Sequence, residues 1–138
     1  MNKILKIAFL SERGKWQDVF DFFVAKQEVE LSKLDVRLEV TKLGSCEAYN
    51  NVKRANRINF HILFFEGAPS DNGKIYFADV VSDLKVNFPD IYLVGVTGSD
   101  FCAQLCRNSG VDEVVCNFLE NYGAGDILCK FAKKYELT

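Results

Sequence analysis

One histidine, one tryptophan, one methionine and two prolines are all that 138 residues hold of those types. Several of the chain's scarcities close off a class of function. A single imidazole, His61, leaves no partner for a zinc site built from paired thiolates and histidines. The five cysteines (Cys46, Cys102, Cys106, Cys116, Cys129) are an odd set with no Cys-x-x-Cys pair, unlike a secreted disulfide framework. Apolar runs such as Ile7–Leu10 and Ile62–Phe65 fall far short of a bilayer span. The opening Met-Asn-Lys-Ile-Leu-Lys becomes charged too soon for a secretory signal. Positive charge is not in excess either: 17 basic against 19 acidic residues give a net charge of −2, which is no electrostatic footprint for nucleic acid. The expectation is a soluble, cytoplasmic protein with no membrane and no nucleic-acid partner.

What is present reads as one domain over residues 1–138. Hydrophobic residues make up 49% and charged residues 26%, enough to bury a core and stay soluble. Lys6–Ser11 is a short apolar run, which predicts a buried strand. Trp16, Val19, Phe20, Phe23 and Gln27 then recur at helical spacing, with Phe22 and Val24 widening the apolar stripe. Leu34–Thr41 alternates apolar with polar, which predicts a half-exposed strand at a sheet edge. Ser45 is placed to cap a short helix through Ala48, Val52 and Ala55, and Phe60–Phe65 is a continuous apolar strand. After the loop Gly67–Gly73 comes a helix with Phe77, Val80, Val81 and Leu84 inward, ended by Phe88-Pro89-Asp90. Strand Ile91–Val96 leads to a helix, capped by Ser99 or Asp100, that carries Phe101, Cys102, Leu105 and Cys106. A short strand Val114–Cys116 follows, and Ala124, Ile127, Leu128, Phe131, Ala132 and Tyr135 stripe a last helix.

Five strand–helix units with short connections predict an α/β fold. Its sheet is doubly wound, parallel and five-stranded, with helices on both faces. Five strands suit the flavodoxin-like order 2-1-3-4-5, which puts the alternating strand at an edge. Ligands of such sheets bind beyond the carboxyl ends of the strands, at the switch point between the first and third. Ser11, Glu12, Phe65, Glu66, Thr97 and Asn117 are the residues that this rule selects.

Those positions carry a family resemblance. From Lys6 to about Tyr135 the chain resembles the response-regulator receiver domain, the CheY-like phosphoryl-accepting module of two-component signalling. The family's first strand ends in two acidic residues that hold magnesium, and Ser11-Glu12 matches them. Its third strand ends in an acceptor aspartate, with proline four residues on and glycine four after that; Pro69 and Gly73 keep the spacing and put Phe65 at the acceptor position. Thr97-Gly98 matches the end of the fourth strand and Gly110-Val111-Asp112 the approach to the fifth. Asn117-Phe118 replaces the family's Lys-Pro, and Val114 its aromatic switch residue.

The departures bear on the chemistry. Aspartyl phosphorylation needs a carboxylate nucleophile, a divalent cation and a cationic clamp. A phenyl ring at Phe65 supplies no nucleophile, Glu12 alone is a poor magnesium site, and Asn117 carries no charge. The resemblance therefore implies a pseudo-receiver with no enzymatic activity, metal or cofactor. It would serve as a phosphorylation-independent regulatory interaction module of bacterial-type signalling, whose partner is another protein or a second copy in a homodimer. The family's face of fourth helix, fifth strand and fifth helix maps onto Gln104, Arg107, Asn108, Asp112, Asn117 and Lys130.

Other readings stand beside this one. A one-residue slip would bring Glu66 to the acceptor position, where it could mimic a phospho-aspartate and hold an active-like state. Pro69 and Gly73 favour Phe65. A flavodoxin-like flavin or small-ligand site would use Ser11-Glu12-Arg13-Gly14-Lys15-Trp16, and a thiol sensor would use Cys102, Cys106 or Cys116. In the plainest reading Phe65 and the cysteines are core, Thr97 and Ser99 cap a helix, Glu12 complements a helix start, His61 is interior, and Lys53, Arg54 and Arg57 form a solvated helix face.

Overall fold

Five strands, β1 (Lys3–Leu10), β2 (Val36–Leu43), β3 (Ile62–Glu66), β4 (Tyr92–Val96) and β5 (Glu113–Val115), pair in parallel in the order β2-β1-β3-β4-β5. Between and after them run α1 (Gly14–Ser32), α2 (Cys46–Arg54), α3 (Ala78–Asn87), α4 (Asp100–Asn108) and α5 (Ala124–Lys134). The computed structural model describes residues 3–116 and 124–134. Asn117, Phe118 and Tyr135 lie outside the described residues. No helix among the described residues is long and apolar enough to cross a membrane.

The alternation of strand side chains divides the interior into two layers. Ile7, Phe9, Ile62, Phe64, Val94 and Val96 face α1 and α5, where Phe20, Phe23, Leu31, Ile127 and Leu128 close the core. Ring centroids of Phe9 and Phe20 stand 4.9 Å apart, and those of Phe23 and Phe64 6.3 Å apart edge to face, the spacing favoured by aromatic quadrupoles. Ala8, Leu10, Leu63, Phe65 and Leu93 face the opposite layer, packed on Tyr49 of α2, Val80, Val81 and Leu84 of α3, and Cys106 of α4. Helix starts follow the predicted chemistry. The Ser45 hydroxyl accepts from Ala48 N–H at 3.0 Å, and Ser99, the residue that caps α4, accepts from Cys102 N–H at 3.3 Å.

Some expectations are corrected. β2 runs two residues later than the alternation suggests, because Asp35 adopts φ 60 to end the turn after α1 and leaves Leu34 outside the ladder. Phe22 is 60% exposed: it lies about 200° round the helix from Phe20, and Lys26 sits over its ring at 5.7 Å. Phe101, likewise counted with its helix's apolar residues, is 66% exposed. Arg54 and Arg57 are exposed as expected, but Lys53, 40% exposed in its side chain, also reaches Asp83 at 2.8 Å, and with the Tyr49 hydroxyl, 2.7 Å from the same carboxylate, it ties α2 to α3. Lys53 first, then the Tyr49 and Asn87 hydrogen bonds, hold the Asp83 carboxyl below the usual range against its burial.

Two consequences are measurable. Gly95 lies in β4 under Cys106, and a Cβ there would stand 2.9 Å from the Cys106 sulfur and 3.3 Å from the Phe65 ring. Gly95→Ala is expected to cost about 1–3 kcal/mol of unfolding free energy by overpacking. Cys106→Ala in the same chain is expected to recover part of that loss in urea melts, and strictly additive costs would show that the sulfur is not the obstacle. His61 accepts Lys6 N–H on Nδ1 at 2.9 Å; burial first, and Lys6 second, lower its pKa from 6.5. The stability it contributes is fully present above pH 6.5 and is lost as pH falls below that value towards the depressed folded one. As the chain's one histidine, it should account for the slope of Tm against pH between about 7 and 5. His61→Gln should flatten that slope.

Candidate functional site

β1 and β3 are neighbours, and their register pairs Leu10 with Phe65, so the next residues along, Ser11 and Glu66, emerge side by side at the carboxyl end of the sheet. Phe65 turns into the α2–α4 layer and is fully buried there. Glu66 therefore turns the opposite way, as strand alternation requires, and its side chain reaches Ser11. The Ser11 hydroxyl donates to Glu66 Oε1 at 2.7 Å, with Ser11 0% and Glu66 6% exposed. Phe65 is thus a core residue, and Glu66 is the residue of β3 whose side chain meets Ser11 at the strand ends.

Ser11 is held on every side. Its N–H donates to Leu43 O at 3.0 Å, its carbonyl accepts from Gln17 Nε2 at 3.0 Å, and its hydroxyl accepts from Arg13 N–H at 3.2 Å. Arg13 Nη2 lies 2.5 Å from Glu66 Oε2. The guanidinium thus pairs directly with the carboxylate oxygen that the Ser11 hydroxyl does not engage. Glu12, exposed, accepts the Tyr76 hydroxyl at 2.8 Å and 2.9 Å on its two oxygens. That bond is the main cause that raises the Tyr76 pKa. Glu12, Arg13, Glu66, Ala68, Tyr76 and Phe77 line a cleft of about 210 Å³. Glu12 also helps to raise the thiol pKa of Cys46, after burial and ahead of Asp79.

Four of the six sequence-selected positions thus meet at the strand ends, but in different roles: Ser11, Glu12 and Glu66 line or support the cleft, and Phe65 is core. Thr97 stands at the end of β4, its Oγ1 accepting from Ser99 N–H at 3.2 Å in the turn that leads to α4. Its side chain rests close to Gly67. Asn117 lies outside the described residues. Sequence reasoning missed Tyr76 and Gln17 as members of the site and named Arg13 only within the alternative flavin or small-ligand loop. Arg13 pairs with Glu66, 53 positions away, so its role at the cleft was not readable from its neighbours in sequence. Tyr76 meets Glu12 across 64 positions, and no local pattern announces that contact.

A receiver fold implies magnesium at this place, and the donor set does not fit it. One of the two expected acids is a serine, Glu66 is already ion-paired to a guanidinium, and no group of three ligating side chains exists among the described residues. The flavin reading has no support from Trp16, which packs against the α1–α5 core. Of the cysteines read as a sensor, Cys102 and Cys106 are buried, with the Cys106 pKa pushed up to about 11 by burial and then by Cys102, while Cys116 is exposed. On the face read as a docking surface, Gln104, Arg107, Asn108 and Lys130 are exposed, and Gln104 donates to Asn108 at 2.9 Å. Asp112 is also exposed, but its carboxylate accepts Leu93 N–H at 2.8 Å and so helps to join β5 to β4.

The architecture is that of response-regulator receivers. The isolated REC domain of RcsB from Salmonella enterica serovar Typhimurium, solved with phosphomimetic BeF3⁻, superposes with a TM-score of 0.58 at 15% identity, covering 94% of this chain and 85% of that one. The response regulator TrrA of Thermotoga maritima, in complex with Mg2+ and BeF, gives 0.62 at 11% identity, covering 91% and 97%. A longer Salmonella typhimurium RcsB response regulator gives 0.58 at 12% identity over 97% of this chain, which spans 64% of that one. No family model matches the sequence. No curated protein matches it either. At these identities the likeness establishes the fold: a flavodoxin-like, receiver-type α/β domain.

The Ser11–Glu66 bond can be weighed by mutation. Ser11→Ala leaves Oε1 buried without its donor and is expected to cost about 1.5–3 kcal/mol in urea unfolding, the range for hydrogen bonds to charged groups. Glu12→Gln, at the exposed rim, is expected to change stability by less than about 0.5 kcal/mol. Equal effects of the two would mean that the buried bond contributes nothing special.

Proposed function

We propose that this domain is a phosphorylation-independent regulatory module, a receiver fold that acts by binding another protein or a second copy of itself and performs no phosphotransfer. One observation carries the reading. The strand-end carboxylate that this reading takes as the acceptor's counterpart, Glu66, is buried and already engaged by the Ser11 hydroxyl and the Arg13 guanidinium. An acceptor must present a free oxygen in line with its donor, next to a divalent cation that neutralises the phosphoryl oxygens. Here one oxygen is taken by a hydroxyl, the other by a cation fixed to the chain, and the second magnesium-holding acid is a serine.

The position of Glu66 also favours a constitutive state over a mere loss of signalling. A glutamate carries its charge one methylene further from the backbone than an aspartate does, in the direction that a phosphorylated aspartate would extend. With Arg13 on it, the strand end holds one arrangement without any donor. The contact surface of this reading is the exposed polar set on α4 and α5, Gln104, Arg107, Asn108 and Lys130, whose cytoplasmic partner is a protein.

Incubation of the purified domain with acetyl phosphate and magnesium, followed by intact-mass measurement, is expected to leave the mass unchanged. Beryllofluoride with magnesium is expected to leave its amide NMR spectrum unshifted around Ser11, Glu66 and Thr97. Stoichiometric acid-labile phosphate, or a magnesium-dependent beryllofluoride complex at the strand ends, would overturn the reading.

A further inference from the structure

We infer that the Arg13 guanidinium is the resident cation of this cleft: it takes the charge-compensating place of a divalent metal and keeps divalent metals out. The inference rests on the reading of the cleft just given and goes beyond it, because it assigns one residue a role and specifies a binding property that its removal creates.

Three observations carry it. Glu66 lines the cleft, its Oε2 is buried, and the charge that compensates that oxygen comes from Arg13 Nη2 at 2.5 Å. Arg13 itself is 64% exposed in its side chain, and as the N-cap residue of α1 it makes no side-chain capping bond. Attraction to Glu66, more than burial, places it there. Glu12 lines the same cleft, and its partner, the Tyr76 hydroxyl, supplies a hydrogen bond but no charge.

The cleft thus holds two carboxylates and one guanidinium. Without the guanidinium, two hard oxygen donors would face a space of about 210 Å³, enough for a small dication that keeps several waters. With it in place, a dication within about 5 Å of the fixed positive charge loses more than about tenfold in affinity even at the dielectric of water. Arginine is suited to this work because it stays protonated at every accessible pH and presents a planar fork to a carboxylate. A metal can leave; a side chain cannot.

Mn2+ titrations followed by water-proton relaxation test this on the wild type, Arg13→Lys, Arg13→Ala and the double variant Arg13→Ala/Glu12→Gln. Wild type and Arg13→Lys are expected to show no saturable site up to about 10 mM Mn2+, whereas Arg13→Ala binds one ion at least about tenfold more tightly and the double variant loses that site. As a second readout, Mn2+ is expected to raise the Tm of Arg13→Ala and leave that of the wild type unchanged; it applies even where the variant is only marginally folded. Saturable wild-type binding that Glu12→Gln abolishes overturns the inference, and so does an Arg13→Ala protein that neither binds Mn2+ nor is stabilised by it. Those results concern Arg13 alone. Phosphate uptake by the wild type is the separate result that defeats the proposed function.

Discussion

Burying a carboxyl group at a strand end is costly unless hydrogen bonds and an opposite charge meet it there. Glu66 satisfies that condition through two residues that lie close together in sequence, Ser11 and Arg13, and much of the local architecture follows from serving them. Ser11 has to be buried to reach Oε1, so its backbone is held by Leu43 and by the amide of Gln17. Arg13 has to stand directly before α1 to reach Oε2. It thereby occupies the N-cap position, where Ser, Thr, Asp or Asn would stabilise the helix by about 1 kcal/mol more. The Ser11 hydroxyl compensates in part by accepting the Arg13 N–H. Helix stability at this end has yielded to the charge arrangement of the cleft.

The same strand ends are closed on one side and open on the other. Gly67 and Gly95 both lie against the Cys106 sulfur, so close that a Cβ on either would fall within 3 Å of it. A thiol pushed up to about 11 by burial behaves there as a small apolar filler rather than as a nucleophile. Packing of α4 onto the carboxyl ends of β3 and β4 thus depends on missing side chains. Between β1 and the start of α3, by contrast, Glu12, Arg13 and Tyr76 leave a cleft open to solvent. The side of the switch point that the fold leaves accessible is therefore the side that carries the charges.

The sheet was legible because its signals are local and redundant. Continuous apolar runs mark β1, β3 and β4 as central, the alternation of Val36, Leu38 and Val40 against Arg37 and Glu39 marks β2 as an edge, and Ser45 and Ser99 announce two helix starts. Where a signal was shared between two structures, the sequence misled. Phe22 fits a helical stripe by spacing, yet Phe20, Phe23, Val24, Gln27 and Leu31 already fill the arc that meets the sheet. The site was less legible than the fold for a related reason. Counting back from Pro69 and Gly73 assumes a loop of fixed length, and in a strand one residue more or less exchanges faces: Phe65 for Glu66, core for cleft. The Arg13–Glu66 and Tyr76–Glu12 contacts join residues far apart in the chain, and they become visible only once β1, β3 and the segment before α3 are set side by side.

Under the proposed reading, that charge arrangement also decides where regulation can act. A ligand shifts a conformational equilibrium only by the difference between its affinities for the two states. In a receiver whose acceptor gains charge, the strand ends provide that difference. Here the charges at the strand ends are balanced within the chain, so a phosphoryl donor finds neither a free oxygen nor a bound cation to distinguish one state from another. Control then passes to occupancy: how much partner is present and how well it fits the exposed polar surface of α4 and α5. Such a module responds to concentration by mass action and not to covalent marking. It needs of its cleft only a stable, self-contained charge balance, which is the property that a guanidinium held at the start of α1 supplies and an exchangeable ion does not.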